Sequence, residues 1–321
     1  MEEPGGADID GTCPFRQLSE DASVHRIPRA DLRQLTPLQF YRQYVAQSQP
    51  VILRGACDRW PALRKWTNAY LRRTMGDAVV SVNVTPTGEG DAVVAGRFVK
   101  PEERRMALAQ YLDIVEGAAA AAGVFYISHQ NGSFAAEYEP LQPDVPPDLE
   151  QWGTEVFGVE PDAVNLWMGD DQAVSSMHKD HYENLYAVVR GSKIFTLLPP
   201  WDYHFLSPES YPPARYQQNA QGQFDVQPED GEPVSWVAVN PDQPDLQRHP
   251  RFEGARPLLA VVEAGEVLYL PALWYHKVAQ RGDAEGLTLA VNYWYDMEFG
   301  PLYHYFEFVQ RMARARPPLV P

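Results

Sequence analysis

The stretch VSSMHKDHYENLYAVVRGSKIFTLLPP, residues 174–200, decides the predicted fold. Its second half contains two β-rich runs on either side of Arg190 and Gly191, a pattern that predicts two strands joined by a tight turn. Comparable short runs, each bounded by Gly, Pro or Asp, are GVFYIS at 123–128, AVNLWMG at 163–169, LLAVVEAGEVLYLP at 258–271 and LTLAVNYWYD at 287–296. Short strands at this spacing favour a β-sandwich or barrel.

Helices are predicted on both sides of this β-rich region, from their capping residues and apolar periodicity. The predicted helices run from Thr36 to just before Pro50, from Thr67 to Gly76, from Pro101 to Gly117 and over 301–315. The last of these has an aromatic face made of Tyr303, Phe306 and Phe308. Such a face is typical of core packing, and a homodimer contact is the second interpretation.

The composition along the chain predicts four parts. They are a flexible lead-in over 1–25, α/β elements over 26–122 that pack on the core, a β core over 123–298 with a Pro-rich insertion at about 199–257, and a C-terminal helix and tail over 299–321. The predicted fold class is therefore mainly β with flanking helices, with an N-terminal α/β lead-in and a C-terminal helix.

The charge balance and the cysteine content exclude several classes of protein. With 27 basic and 43 acidic residues the formal net charge is −16, so the long-range field repels phosphate backbones and direct nucleic-acid binding is not expected. No run of about 18 uninterrupted apolar residues occurs, and the N-terminus lacks the pattern of a secretion signal. Two cysteines, Cys13 and Cys57, are too few for a disulfide framework. We therefore expect a protein without a membrane span, in the cytoplasm, with the nucleus as a second location.

His178 and Asp180 are the candidate metal ligands. They stand two residues apart, so an extended strand would point both side chains to one face. A divalent iron site of the two-histidine, one-carboxylate type needs a third ligand from elsewhere. His276 is better placed for this than His249 or His304, because a turn, a strand and a proline carry it to a rim. The alternative is that the pair arises by chance and that the rim histidine is a hydrogen-bonded surface group.

Three polar residues in apolar surroundings favour the metal interpretation. They are Lys193, Asn184 and Asn292. If a dicarboxylate such as 2-oxoglutarate chelates the metal through its keto-acid end, its distal carboxylate needs a buried cation, and Lys193 is a compact one. A lysine in so apolar a hairpin is costly unless an anion meets it. The alternative is a lysine whose ammonium reaches solvent from an edge strand.

The runs 174–200, 264–278 and 287–296 resemble the jumonji-C domain oxygenases. PVILRGACDRWPA at 50–62 resembles the lead-in of the small hydroxylase branch of that family, so the resemblance covers residues 30–315. It implies a double-stranded β-helix, which is a cupin-type jelly roll. Within the branch, the match is most specific for a protein lysyl hydroxylase.

The resemblance also implies roles for individual residues, with Fe(II), 2-oxoglutarate and O₂ as cofactor and cosubstrates. The implied Fe(II) ligands are His178, Asp180 and His276. The implied contacts of the distal carboxylate of 2-oxoglutarate are Lys193, Tyr126 and Ser175. The residues expected near the keto-acid end, or orienting the ligands, are Asn184 and Asn292. Open positions on the metal would accept the cosubstrate and then O₂.

The substrate is expected to carry a positive charge. Four acids next to the motifs could form an acidic lip that holds a lysine or arginine side chain, namely Asp170, Asp171, Asp296 and Glu298. The alternative is that they are ordinary solvated acids. The resemblance implies a lysine of a protein substrate, in a GTP-binding protein of the translation-factor class.

Three functions stay open at this point. The first is a protein lysyl hydroxylase, the second a histone lysine or arginine demethylase with the same iron chemistry, and the third a non-oxygenase cupin-like metal-binding protein. The demethylase is disfavoured because the sequence has no cysteine-histidine reader finger and a strongly negative charge. The third has little need for Lys193 and the two asparagines.

Overall fold

The computed structural model describes residues 14–22 and 24–315. Cys13 and the tail at 316–321, which belong to the predicted terminal segments, lie outside the described residues. In chain order the strands are β1 Arg29–Asp31, β2 Val51–Arg54, β3 Val79–Thr85, β4 Glu89–Gly90, β5 Ala92–Val94, β6 Arg97–Lys100, β7 Glu102–Ala107, β8 Val124–Ile127, β9 Ala163–Gly169, β10 Val174–His178, β11 Tyr182–Arg190, β12 Ser192–Leu198, β13 Glu209–Tyr211, β14 Pro213–Gln218, β15 Phe224–Pro228, β16 Val234–Trp236, β17 Leu258–Glu263, β18 Val267–Leu270, β19 Tyr275–Arg281 and β20 Thr288–Asp296.

The helices flank these strands at both ends of the chain and between them. They are α1 Pro14–Ala22, α2 Pro37–Phe40, α3 Ala62–Lys65, α4 Asn68–Met75, α5 Leu108–Val115, α6 Ser133–Glu137, α7 Asp148–Phe157, α8 Tyr203–Leu206 and α9 Pro301–Ala315. A π-helical segment, Tyr41–Val45, continues α2. Within the described part of the chain, none of the helices combines the length and the hydropathy that a membrane span needs.

Two sheets form the body of the fold. The larger has the strand order β1-β2-β18-β11-β20-β9-β8-β3-β7, and the smaller has the order β17-β12-β19-β10-β4. The hairpin predicted at Arg190 and Gly191 joins them, because β11 belongs to the larger sheet and β12 to the smaller. Gly191 has a φ of 63°, a left-handed conformation that favours glycine. The prediction of a mainly β jelly roll with flanking helices is confirmed.

The larger sheet is buried on both faces, which explains its near-continuous apolar strands. In β11, Leu185, Ala187 and Val189 pack toward the helices, whereas Tyr186 and Val188 face the smaller sheet. Strands covered on both faces read as apolar runs instead of alternating patterns. The same alternation points Asn184 inward, on the side of Tyr186.

Two predicted helices of the N-terminal region are confirmed, and the third is wrong in its first half. Thr36 caps α2 by accepting the Gln39 N–H at 3.2 Å, and Thr67 caps α4 by accepting the Tyr70 N–H at 3.1 Å. The predicted helix from Pro101 begins only at Leu108, because β7 pairs antiparallel with β3.

The arginines of β7 explain why the segment is extended. Arg105 donates to Glu137 at 2.6 Å, whereas the Arg104 guanidinium lies 5.6 Å from the centre of the Phe125 ring. Successive side chains thus point to opposite faces, as a strand requires. In a helix, the two adjacent arginines would point about 100° apart instead of to opposite faces.

The Pro-rich insertion contains strands that no periodicity predicted. Strand β13 pairs with β16, and β14 pairs with both β15 and β6. Strands β13 and β16 have three residues each, which is too short for an alternating pattern to be recognised. The insertion is therefore a folded cover tied to the N-terminal region through β6.

The ends of the described chain also differ in part from expectation. Helix α1 falls inside the predicted flexible lead-in, and its Phe15 ring stacks on His204 at 4.5 Å. In α9, Phe306 is buried as predicted, but Phe308 is 60% exposed. The core interpretation is thus wrong for Phe308, and the homodimer contact stays a prediction.

A buried arginine fastens the β11–β12 turn to the N-terminal region. The Arg190 side chain is 7% exposed and donates twice to Asp283, at 2.7 and 2.8 Å. It also donates at 2.8 Å to the carbonyl of Trp66 and to Oδ1 of Asn68. The guanidinium also lies 2.9 Å from the Glu285 carboxylate, so its removal would leave two carboxylates and two neutral acceptors without their donor.

We therefore expect Arg190→Met to lower the free energy of unfolding by about 3–5 kcal/mol, the usual effect of breaking a buried ion pair. Urea denaturation followed by tryptophan fluorescence measures this loss. Arg59→Met is the matched control, because Arg59 is 83% exposed in its ion pair with Asp148 and should change stability by less than about 1 kcal/mol. Equal stability of the two variants would contradict the structural role of Arg190.

Candidate active site

The three side chains that the sequence predicted as metal ligands come together. His178, at the end of β10, lies opposite His276 in β19. The His178 and His276 Nε2 atoms lie 3.8 and 3.5 Å from Oδ2 of Asp180, and the three potential ligand atoms lie within 4.8 Å of one another. The expectation of one continuous strand is wrong, since β10 ends at His178. Asp180 lies beyond it, held by the Leu273 N–H, which donates to its carbonyl at 2.8 Å.

Backbone carbonyls orient both imidazoles. Nδ1 of His178 lies 2.7 Å from the Ser176 carbonyl, and Nδ1 of His276 lies 2.9 Å from the Trp274 carbonyl. Because a carbonyl only accepts, each Nδ1 carries a proton, and each Nε2 is left facing Asp180 as the potential metal ligand. Two imidazoles and one carboxylate are the donor set of a divalent iron site with open positions.

The electrostatics of the cluster favour the metal-binding protonation states. Burial lowers the pKa of His178 to about 4, and the neighbouring His276 acts in the same direction. Burial alone would raise the pKa of Asp180, but its interactions with His178 and His276 outweigh this and hold the pKa below its usual value. At neutral pH, His178 is therefore neutral and Asp180 is ionised, as metal coordination requires.

The cluster opens into a cavity of about 180 Å³. At roughly 30 Å³ per water, this volume equals about six waters, which suits a small diacid. Tyr126, Ser175 and Asn184 line it. Behind this wall Lys193 is 1% exposed, and its Nζ donates to Tyr126 Oη at 3.0 Å.

Gln280, which sequence reasoning missed, holds Lys193 from the other side. It lies directly opposite Lys193 in the β12–β19 pair, and its Oε1 accepts a hydrogen bond from Nζ. Its Nε2 donates to the Asp170 carbonyl at 2.6 Å. The spacing of Gln280 could have indicated its role. It lies four residues after His276, and residues four apart on a strand point to the same face. Burial among these neutral partners lowers the pKa of Lys193 to about 7.

The two predicted asparagines have different positions. Asn184 lines the cavity, whereas Asn292 is fully buried behind it and donates to Asn184 Oδ1 at 3.1 Å. Oδ1 of Asn292 accepts from Trp167 Nε1 at 2.8 Å and from Asn165 at 3.3 Å. The structure thus brings Asn184 to the wall, with Asn292 fixing its orientation. The parts of Trp167 and Asn165 in this network were not predicted.

An aromatic wall closes the cavity beside His178. The Trp236 ring is nearly parallel to the His178 ring, with centroids 5.8 Å apart. Its Nε1 donates to Ser176 Oγ at 3.0 Å, and Phe98 packs on its other side with centroids 4.6 Å apart. Because Trp236 comes from the Pro-rich insertion and Phe98 from β6, neither was predicted.

The predicted acidic lip is wrong, because its members lie in different places. Asp171 accepts a hydrogen bond from the Gly282 N–H, past the end of β19. Gly282 lies six residues after His276 along β19, so this end is separated from the histidines by roughly 20 Å, at about 3.3 Å per residue. Asp296 and Glu298 line a separate recess with Glu183, and Asp170 binds Gln172.

Comparison with known proteins agrees with this geometry. A family described as Cupin-like domain matches residues 37–301. The chain is 46% identical over 281 residues to the human "Bifunctional peptidase and (3S)-lysyl hydroxylase JMJD7", covering 87% of each protein. It is 42% identical over 313 residues to "Lysine-specific demethylase JMJ32" of Arabidopsis thaliana, covering 93% of this chain and 90% of that protein.

A third relative is "JmjC domain-containing protein E" of Dictyostelium discoideum, 37% identical over 307 residues and covering 87% of each protein. The resemblance expected from residues 174–200 is therefore confirmed over most of the chain. This chain belongs to the cupin-like domain family and, within it, to the jumonji-C oxygenases.

Proposed function

We propose that this oxygenase is an Fe(II)- and 2-oxoglutarate-dependent hydroxylase that acts on a lysine side chain of a protein substrate. The observation that carries the proposal is one cavity lined by His178, Asp180 and His276, with the amine of Lys193 buried behind the Tyr126 that also lines it. A small diacid that chelates a metal at one end and meets a cation at the other fits this arrangement.

The three donors would hold Fe(II), since two imidazole Nε2 atoms and one carboxylate, close together, are the donor set that the ion requires. With 2-oxoglutarate and O₂, the iron would supply the oxidation of an unactivated C–H bond, with succinate and CO₂ as the other products. The carbonyls of Ser176 and Trp274 fix the imidazole rings. Support of this kind keeps ligands in place when substrates bind.

Lys193 would bind the distal carboxylate of 2-oxoglutarate, with the hydroxyls of Tyr126 and Ser175 as further donors. A buried ammonium that has only neutral partners costs free energy, and an incoming carboxylate offsets this cost. Asn184 would donate near the keto-acid end, because its Oδ1 already accepts from Asn292 and its amide N–H groups face the cavity side.

The substrate class rests on the relatives. The human relative is named a (3S)-lysyl hydroxylase, which supports a lysine, and we propose a GTP-binding protein of the translation-factor class as its carrier. The Arabidopsis relative is named a lysine-specific demethylase, so removal of a methyl group from lysine is the second candidate.

Mass spectrometry of reaction products separates these functions. The protein is incubated with Fe(II), 2-oxoglutarate and purified GTPases or their lysine-containing peptides, in unmodified and methylated forms. A gain of one oxygen atom on lysine supports hydroxylation, and loss of a methyl group from methyl-lysine supports demethylation instead. Peptide cleavage, or 2-oxoglutarate turnover without any change to lysine, contradicts the proposal.

We expect His178→Ala and Asp180→Ala to reduce succinate formation by more than about a hundredfold, beyond the usual effect of losing a residue that only supports a ligand. Both should also lose Mn(II) binding, measured by electron paramagnetic resonance, while their melting temperatures confirm a folded protein. His181→Ala is the matched control, because this exposed histidine lies beside the cluster without belonging to it. Full turnover in either ligand variant would refute the metal assignment.

We expect Lys193→Met to raise the KM for 2-oxoglutarate about tenfold to a hundredfold, the usual loss for a charge-assisted hydrogen bond. Steady-state succinate formation at varied 2-oxoglutarate concentration measures this change. Lys277→Met is the control, because Lys277 lies on β19 but pairs with Asp242 at 2.7 Å, away from the cavity. An unchanged KM in Lys193→Met would remove Lys193 from the cosubstrate site.

Binding of 2-oxoglutarate should also take up a proton above pH 7. Burial holds the pKa of Lys193 at about 7, so the amine of the free protein loses its proton as the pH rises through this value. A bound carboxylate favours the ammonium and raises the pKa again. Calorimetric titration of the Mn(II)-loaded protein at pH 8, in two buffers of different ionisation enthalpy, should therefore show proton uptake and a weaker affinity than at pH 6.5. Lys193→Met should show no uptake, and equal uptake in both proteins would contradict this origin.

A further inference from the structure

An acidic residue that the proposed reaction does not yet use, Asp91, lines the same cavity as the candidate metal ligands. Asp91 lies between β4 and β5 and lines the cavity with His178, Asp180 and His276. Its backbone carbonyl accepts the Ser176 hydroxyl at 2.5 Å. This bond holds the Asp91 backbone against β10, two residues before His178.

The Asp91 side chain is left without a partner. Among residues 14–22 and 24–315, its carboxylate accepts no hydrogen bond and joins no ion pair. The cations that act on it, Lys100 and Arg215, both pair with Glu229, at 2.6 and 2.8 Å. Burial raises the pKa of Asp91 to about 6. At neutral pH this carboxylate is therefore a poorly solvated anion, which gains free energy from an incoming cation.

The walls next to Asp91 are aromatic. Phe98 and Trp236 line the same cavity, and their contact with each other and with His178 fixes their rings. Aromatic faces attract ammonium groups and pack well on methylene chains. A slot with one carboxylate and two aromatic rings thus matches a primary alkylammonium ion on a flexible stem.

We infer that Asp91, with Phe98 and Trp236, is the slot that receives the stem and the ammonium group of the substrate lysine and so determines specificity for a cationic side chain. This inference rests on the proposed function for the identity of the substrate. Phe98 and Trp236 lie on β6 and β16, outside the two sheets of the body of the fold, whereas Asp91 directly follows β4 at the edge of the smaller sheet.

The position of Asp91 allows a conservative test. Its φ is 52°, in the left-handed region that asparagine tolerates well. Asp91→Asn therefore keeps the backbone contact with Ser176 and removes only the charge. Glu89→Gln is the matched control, because Glu89 lies two residues away on β4, loses the same charge and does not line the cavity.

The test measures binding of n-butylammonium and of n-butanol, its neutral counterpart, to protein loaded with Mn(II) and 2-oxoglutarate. Relaxation of the probe protons by the paramagnetic ion reports binding next to the metal. We expect wild type and Glu89→Gln to prefer n-butylammonium by about tenfold or more, and Asp91→Asn to lose this preference. General damage to the fold or the metal site would weaken both probes alike and leave their ratio unchanged.

A retained preference in Asp91→Asn, or no preference in wild type, overturns the inference. Hydroxylation of lysine peptides by wild type is measured separately, so the two proposals fail independently. Loss of the cation preference in Asp91→Asn supports the slot even where wild type adds no oxygen to lysine, an outcome that refutes the proposed function. Hydroxylation of lysine by a wild type that shows no cation preference refutes the slot alone.

Discussion

The antiparallel pairing of β10 with β19 is the constraint on which the site depends. It places His178 opposite His276, but the register shifts between Ser175, which lies opposite Val278, and His178. Three residues on β10 thus match two on β19, which is a β-bulge. In a regular strand, Ser175 and His178 would point to opposite faces. With the bulge, both line the same cavity.

Strand β19 also fixes the distance between the two ends of the proposed cosubstrate site. His276 and Gln280 lie on one face of it, separated by roughly 13 Å at about 3.3 Å per residue. Gln280 lies opposite Lys193 on β12, so the backbone ladder sets how far the ammonium lies from the metal ligands. His178, His276 and Lys193 lie on strands, and of the three candidate ligands Asp180 alone lies in a loop. A fixed distance between the metal ligands and Lys193 would select a diacid of one length. The rest of the cavity wall is then free for residues with other roles.

Features that depend on residues close together in the sequence could be predicted, and features that depend on residues far apart in the sequence could not. The core strands were predictable because burial on both faces makes them apolar runs. The candidate ligands were predictable from their residue types and from the two-residue spacing of His178 and Asp180, although Asp180 lies beyond the strand. Helices α2 and α4 were predictable from their caps, which are local. Strand β7 was not, because its conformation depends on Glu137 and Phe125, which lie far along the chain. The acidic lip failed for the same reason, since sequence proximity to a motif does not say which end of a strand an acid occupies.

Asp91 and Trp236 show most clearly what could not be predicted from the sequence. Each is an ordinary residue in its local sequence, and each matters only because Ser176 joins them, accepting from Trp236 and donating to Asp91. In the proposed function, the barrel would supply the metal ligands, while the N-terminal region and the insertion would supply the surface that a substrate meets. Both parts contact the barrel at the Ser176 hydroxyl, two residues before His178. A net charge of −16 attracts cationic proteins to the molecule. In the inferred slot, the Asp91 carboxylate would determine which of their side chains binds in the cavity. Long-range attraction of a cationic protein and specificity for one of its side chains would therefore depend on different residues of this chain.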